Sequence, residues 1–282
     1  MVKKRRGFSV RARSAAPDPG HEPLVLPDDR PRPGAQFYWA EYLTAHRLLE
    51  ERGGVNPVSV LELGRQAQGW LTGQVARVWD RDEVPRVACQ ETCAWCCFLA
   101  ASAWPVELFA LASWLEEVHT PEELAELLAR LRAAVVEGDR QLAAAPSRPR
   151  RIACPLLAGA KCSAYEVRPA ACVGWNSAAA ASCQAYAEGD DGAFCTVEPL
   201  RFFSARAVSE AAAAAVADHG GPAFNSAGNG QGGAVDLSSG LLAVLELGAV
   251  RAVETWLAGS PFLTRARERM ERPPPSAPRS PQ

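Results

Sequence analysis

Histidine is scarce in this chain: four residues in 282, His21, His46, His119 and His219, and none inside either of its cysteine groups. Any metal site built on those groups would therefore be all sulfur. No apolar stretch approaches the roughly 20 residues needed to cross a bilayer, so a membrane is not an expected partner. Neither sign of charge dominates, with 30 Lys and Arg against 32 Asp and Glu. That balance gives no general attraction to nucleic acid or to an anionic surface. No alternating apolar–polar run marks a strand, and no internal repeat is visible. The glycines from Gly228 to Gly233 have no strand before them, which removes the context of a phosphate-binding loop. What remains is a chain of 48% apolar residues with eight tryptophans, enough for one large core or two small ones.

The N-terminal segment carries Lys3, Lys4, Arg5 and Arg6 before Gly7 and Phe8. An export signal would continue into an apolar run; here Arg11, Arg13, Pro17, Asp18 and Pro19 follow. A solvated basic arm is expected. Cysteine, by contrast, is plentiful: nine residues, an odd number, whereas secreted disulfide scaffolds pair theirs. The expected compartment is the cytoplasm, where thiols stay reduced and closely spaced cysteines act as ligands or catalysts.

Six prolines fall between Pro17 and Pro33, and Pro273-Pro274-Pro275 opens the last segment. Residues 1–36 and 272–282 are expected to be disordered tails around a helical body at 37–271. Within it, 37–51 reads as a helix with Tyr38, Tyr42, Ala45 and Leu49 on one face, stopped by Gly53-Gly54. Residues 58–78 read as a second, from Leu61, Ala67, Leu71, Val75 and Val78. Pro105 opens a third to about 117. Thr120, Pro121 and Glu123 form the capping box of a fourth, with Leu124, Leu127, Leu128, Leu131 and Val135 as its apolar stripe. Residues 206–218 and 237–257 read as the last two helices, separated by a Gly/Asn loop at 225–233. The expected fold class is mainly α: one helical domain whose cysteine-rich loops are clipped by a metal centre.

The first cysteine group is Cys89, Cys93, Cys96 and Cys97. On a helix these spacings put all four sulfurs within an arc of about 100°; a loop could converge them equally well. The second group is Cys154, Cys162 and Cys172, with Cys183 and Cys195 at wider intervals. Taken singly, those last two suit small buried apolar residues as well as ligands. Soft sulfur donors select zinc, copper(I) or iron–sulfur clusters and are poor for magnesium or calcium. A four-thiolate set suits tetrahedral zinc and a [4Fe–4S] cluster alike. The surplus of cysteines, the adjacent Cys96–Cys97 pair and the lack of histidine favour iron–sulfur. Cys89, Cys93 and Cys96 also have the spacing of radical S-adenosylmethionine enzymes, but without the strand and β/α alternation which that architecture needs.

A wider pattern covers about 89–183. Cys89-x₃-Cys93-x₂-Cys96-Cys97, then Cys154-Pro155-Leu156-Leu157, then Cys162-Ser163-x-Tyr165-x₂-Arg168-Pro169-x₂-Cys172, with Gly174-Trp175-Asn176-Ser177 behind it, resembles the YkgJ-type cysteine-cluster family. These proteins are described as zinc- or iron-chelating. The resemblance implies a ligand pool of Cys89, Cys93, Cys96, Cys97, Cys154, Cys162 and Cys172 without saying which four bind together. It also brings in the flagellin lysine N-methylases, similar in their cysteine motifs and built on an iron–sulfur centre. Three functions stay open on these terms: a metal-binding or redox module, a methyl transfer to protein lysine using S-adenosylmethionine, and a structural zinc protein with a protein partner. Arg168 is expected to offset thiolate charge or to pair with a carboxylate. Trp95, Trp104 and Trp114 are expected to line the core or shield the metal, and Glu122, Glu123 and Glu126 to form a solvated face.

Overall fold

The computed structural model describes residues 34–75, 87–89, 92–146, 148–190, 193, 199–223 and 232–269. The basic arm, the C-terminal tail, Cys195, the second helix beyond 75 and most of the Gly/Asn loop lie outside the described residues.

Helix α1 (Ala35–Glu51) starts two residues earlier than the sequence suggests. Gly34 turns the chain into it at φ 93°, and a Cβ there would stand 2.7 Å from the Phe203 carbonyl oxygen. Its buried face is Phe37, Tyr38, Ala45 and Leu49, laid along α7 (Pro199–Asp218). Helix α2 (Pro57–Trp70) is capped by Asn56, whose side chain accepts from the Ser59 N–H. It passes into a π-turn at Leu71–Val75. Helix α3 (Pro105–Val118) is the centre of the body: Val106, Leu108, Phe109, Leu111 and Leu115 are fully buried. Helices α2, α7, α8 (Leu237–Leu247) and α9 (Ala249–Leu257) all pack against it. An α-helix hydrophobic nearly all round must be enclosed in this way.

Helix α4 (Pro121–Ala144) has the expected Thr120–Glu123 capping box and buries Leu127 and Leu131, while Glu122, Glu123 and Glu126 are exposed. The expected single helix over 237–257 is two helices, because Gly248 at φ 82° breaks it. Helix α7 begins at Pro199 rather than near 206. Its run of buried alanines lets α1 and the short α5 (Ala170–Gly174) approach closely. Helices α6 (Ala180–Glu188) and α10 (Thr264–Glu268) complete the body. Two antiparallel pairs of two-residue strands join the loops: β1 (Ser102–Ala103) with β4 (Val235–Asp236), and β2 (Leu157–Ala158) with β3 (Lys161–Cys162). Strands this short leave no alternation to read. The described fold is mainly helical, and no described helix is long and apolar enough to cross a membrane.

Candidate metal centre

The first cysteine group is not an α-helix. A 3₁₀ turn, Trp95–Phe98, carries Cys96 and Cys97. The reason lies in the partner segment: the Cys97 carbonyl accepts from Cys154 N–H at 2.7 Å, the Phe98 carbonyl accepts from Ile152 N–H at 2.9 Å, and Leu99 bridges Arg151 in antiparallel register. An α-helix would consume those carbonyls internally. The loop option is the one realised, and backbone bonds alone already join the two cysteine groups. Cys89 is held separately. Ala88 N–H donates to the Ser177 carbonyl at 2.8 Å, and the Ser177 N–H points at the Cys89 sulfur at 3.2 Å.

In the second group, Pro155 and Leu156 turn the chain into the β2–β3 hairpin, which Gly159 closes at φ 62°. The hairpin sets Cys162 opposite Leu157. Ser163 locks it by donating both N–H and hydroxyl to the Leu156 carbonyl. A 3₁₀ turn (Tyr165–Val167) leads through Pro169 to α5, which carries Cys172. Buried Glu107 fixes the start of α5: its Oε1 accepts from Ala170 N–H at 2.6 Å and from the Ser209 hydroxyl at 2.7 Å, while its Oε2 accepts from Trp104 N–H at 2.8 Å. The backs of Cys154, Cys162 and Cys172 pack against the hydrophobic core.

Cys96 lies near enough to the second group to raise the thiols of Cys154, Cys162 and Cys172. Burial first, then Cys154 and Cys96, and then Cys162, push the Cys172 thiol well up. Burial, then Cys162 and Cys96, raise Cys154 to about 11. Cys162 is raised by burial and by Cys96. Cys96 is pushed up chiefly by a hydrogen bond with the Cys97 side chain and then by burial. Every pair among Cys96, Cys154, Cys162 and Cys172 is thereby within electrostatic reach. The remaining cysteines form an outer rank: Cys89 is raised by burial and by Cys93, Cys96 and Cys183, and Cys97 touches Cys96. Cys183 is buried on α6. Among the described residues, no three His, Cys, Asp or Glu side chains stand in finished ligand geometry around one point. The structure gathers the donors without closing a coordination shell. The all-sulfur donor set still fits zinc or iron and no hard cation.

Arg168 answers the charge. Its Nε donates to the Tyr165 carbonyl at 2.9 Å, its guanidinium lies 3.6 Å from the Tyr165 ring centroid, and it pulls down the thiols of Cys96, Cys162 and Cys172 against the other influences. It makes no carboxylate ion pair among the described residues. The cysteines open onto a cavity of about 750 Å³, lined by Cys93, Cys96, Cys97, Cys154, Cys162 and Cys172 on one side. No described histidine lines it. Trp104, expected in the core, is 5% exposed there, and Trp114 packs against the core from the side. Ser177 belongs to the Gly174-Trp175-Asn176-Ser177 segment of the family pattern, whereas Glu107 and the buried Arg150–Asp236 ion pair at 2.8 Å were not foreseen. Glu107 alone left a signal, an acidic residue three positions after Trp104 at a helix start.

Residues 88–200 match the family model CxxCxxCC, described as "Putative zinc- or iron-chelating domain". That match supports the cysteine-cluster part of the resemblance over this segment, which contains every cysteine of both groups, and says nothing of the YkgJ or methylase likeness. No curated protein and no solved structure matches the chain.

Proposed function

We propose that the chain is a metalloprotein carrying an iron–sulfur cluster, of the [4Fe–4S] class, on Cys96, Cys154, Cys162 and Cys172. The observation that carries this reading is that these four cysteines, one from the first group and three from the second, line a common cavity, with Cys96 close enough to raise the other three thiols. Chelation of zinc or iron is what the family describes. Iron–sulfur is favoured by the surplus of sulfurs around the four and by the room beside them. When bound, such a cluster supplies one-electron redox chemistry or an iron site for a ligand. The protein's own residues do the rest. Arg168 offsets the negative charge of four thiolates, the apolar walls limit water, and the Glu107 bonds hold the Cys172 helix in place.

Anaerobic purification followed by iron, zinc and acid-labile sulfide analysis and a visible spectrum tests the assignment. Brown protein with iron and sulfide is expected. Replacing Cys96, Cys154, Cys162 or Cys172 by Ala should remove most of the metal, whereas Cys183→Ala should retain it. The variant Cys93→Ala, from the outer rank, should lower metal content less than Cys162→Ala. Colourless protein with stoichiometric zinc would replace the reading by a structural clip closed by the same four sulfurs.

A further inference from the structure

We propose that His46 and His219 form a proton-sensitive clasp between α1 and α7, one that holds a single added proton and is broken by a second, so that the contact between the two helices weakens as the medium turns acidic. His46 Nδ1 stands 3.0 Å from His219 Nε2, with the ring centroids 4.7 Å apart. His46 directly follows the buried Ala45 of α1, and His219 directly follows the last residue of α7. Their bond therefore closes one end of the packing between these helices. On its other side, His46 Nε2 faces the Asp218 carboxylate at 3.5 Å. Tyr42, whose ring centroid lies 4.3 Å from that of His46, donates its hydroxyl to the same carboxylate oxygen at 2.5 Å.

This row of groups fixes where the protons sit. A carboxylate only accepts, so the His46 proton belongs on Nε2, toward Asp218. Nδ1 is then an acceptor, and His219 donates to it through Nε2. A first added proton enters at His219 Nδ1 and leaves these bonds in place, with the Asp218 carboxylate beside the pair to balance its charge. A second proton has only His46 Nδ1 left. There it would confront the His219 N–H across 3.0 Å, donor against donor and charge against charge. The surroundings oppose it too: burial first, then His219, hold His46 below its ordinary range against the pull of Asp218 and Glu50. The other titratable groups at the contact do not intervene. Tyr38, beside Asp218, is pushed up by burial and stays neutral. Glu210 on α7 is paired with Arg206. Helix α2, also packed on α1, carries only Glu62 and Arg65, which are paired with Arg52 and Glu117. The open form thus binds two protons where the closed clasp binds one. Below the ordinary histidine value of 6.5 the ratio of closed to open falls about tenfold per pH unit.

Two experiments on the full-length protein test the clasp, with metal per chain measured on the same samples. NMR of the histidine ring protons should show the pair taking up its two protons in steps at least tenfold apart in affinity; two equal steps would overturn it. In urea unfolding, the folding constant of the wild type should fall about tenfold more between about pH 6.5 and about pH 5.5 than that of His46→Gln, which has no place for the second proton. The profile of His219→Gln should also be flatter, because the glutamine carbonyl can turn to accept from a protonated His46. Protonation of thiolates and the opposing contribution of Glu41 are common to all three proteins and cancel in the comparison. A wild-type slope in His46→Gln would overturn the proposal. A wild-type slope in His219→Gln would overturn the clasp as well, since burial of one histidine would then account for the whole effect.

Discussion

Glu107→Ala should destabilise the protein and empty its metal site together, because one carboxylate ties three elements. It accepts from Trp104 N–H at the start of α3, from Ala170 N–H at the start of α5 and from the Ser209 hydroxyl on α7. Alanine leaves two backbone donors with no alternative acceptor, while the serine hydroxyl can rotate. Each buried orphan donor costs about 1–3 kcal/mol. Against this, relieving a fully buried carboxylate returns part of its desolvation cost. The net expectation is a loss of about 2–4 kcal/mol, or roughly 5–15 °C in melting temperature for a chain of this size. Glu107→Gln keeps Oε1 and its two donors but turns an NH₂ toward Trp104 N–H, so about 1–2 kcal/mol is expected. Urea unfolding gives the stability, and metal per chain gives the positioning effect. The control is Leu49→Ala, a fully buried change at the α1–α7 contact, which should cost a comparable 2–4 kcal/mol or so yet leave metal content near wild type. Equal metal loss in both variants would refute a positioning role for Glu107. Wild-type stability in Glu107→Ala would refute the hydrogen-bond reasoning itself.

Three further changes bear on the scaffold. At Gly64, where α2 crosses α3, an added Cβ would stand 2.7 Å from the Ala110 Cβ and press on the Val106 carbonyl. Gly64→Ala should therefore cost about 1–3 kcal/mol in denaturant unfolding, and an unchanged midpoint would mean that the helices can separate freely. Asp236→Ala strands the buried Arg150 guanidinium and removes the cap of α8. A loss of about 3–5 kcal/mol is expected, and a loss no larger than that of a surface substitution would contradict it. Glu41 is fully buried on α1; burial raises its pKa from 4.5 to about 8, against the opposing hydrogen bond from Gln66, and its Oε2 has no partner. The unfolded chain loses this proton first, so stability is full below about pH 4.5 and declines up to about pH 8, by a few kcal/mol. Glu41→Gln should flatten that decline and melt higher than wild type at pH 8; parallel pH profiles would refute the assignment.

The helical body was legible where caps and stripes agree, as at Thr120 and Glu123 with Leu127 and Leu131 on one face. It was less legible where a single glycine decides. Apolar residues recur with helical period straight through 237–257, so only the left-hand turn at Gly248 reveals two helices. A cysteine-rich candidate site was readable from the sequence, since four cysteines within nine positions are a strong local signal, while the seven-cysteine ligand pool came from the family resemblance. Which four converge was not. That depends on a two-residue hairpin and on a bridge between Leu99 and Arg151, neither of which leaves a periodic trace. The bond of Glu107 to Trp104 was readable from helix-start spacing, but its two other partners lie 63 and 102 positions away, a separation that leaves no mark in the sequence.

The attachments of the cysteines are unequal, and the inequality says how the centre is assembled. Cys154, Cys162 and Cys172 are fixed by backbone: the bond to Cys97, the Ser163-locked hairpin and the Glu107-anchored helix start. Their backs lie on the main core. These ties need no metal. Cys96 joins them because its neighbours Cys97 and Phe98 are laced to 152–154. Cys89 depends on the single exchange with Ser177, two residues past Trp175. Three sulfurs of the second group and one of the first thus stand on a preformed frame, as a low-strain ligand set requires.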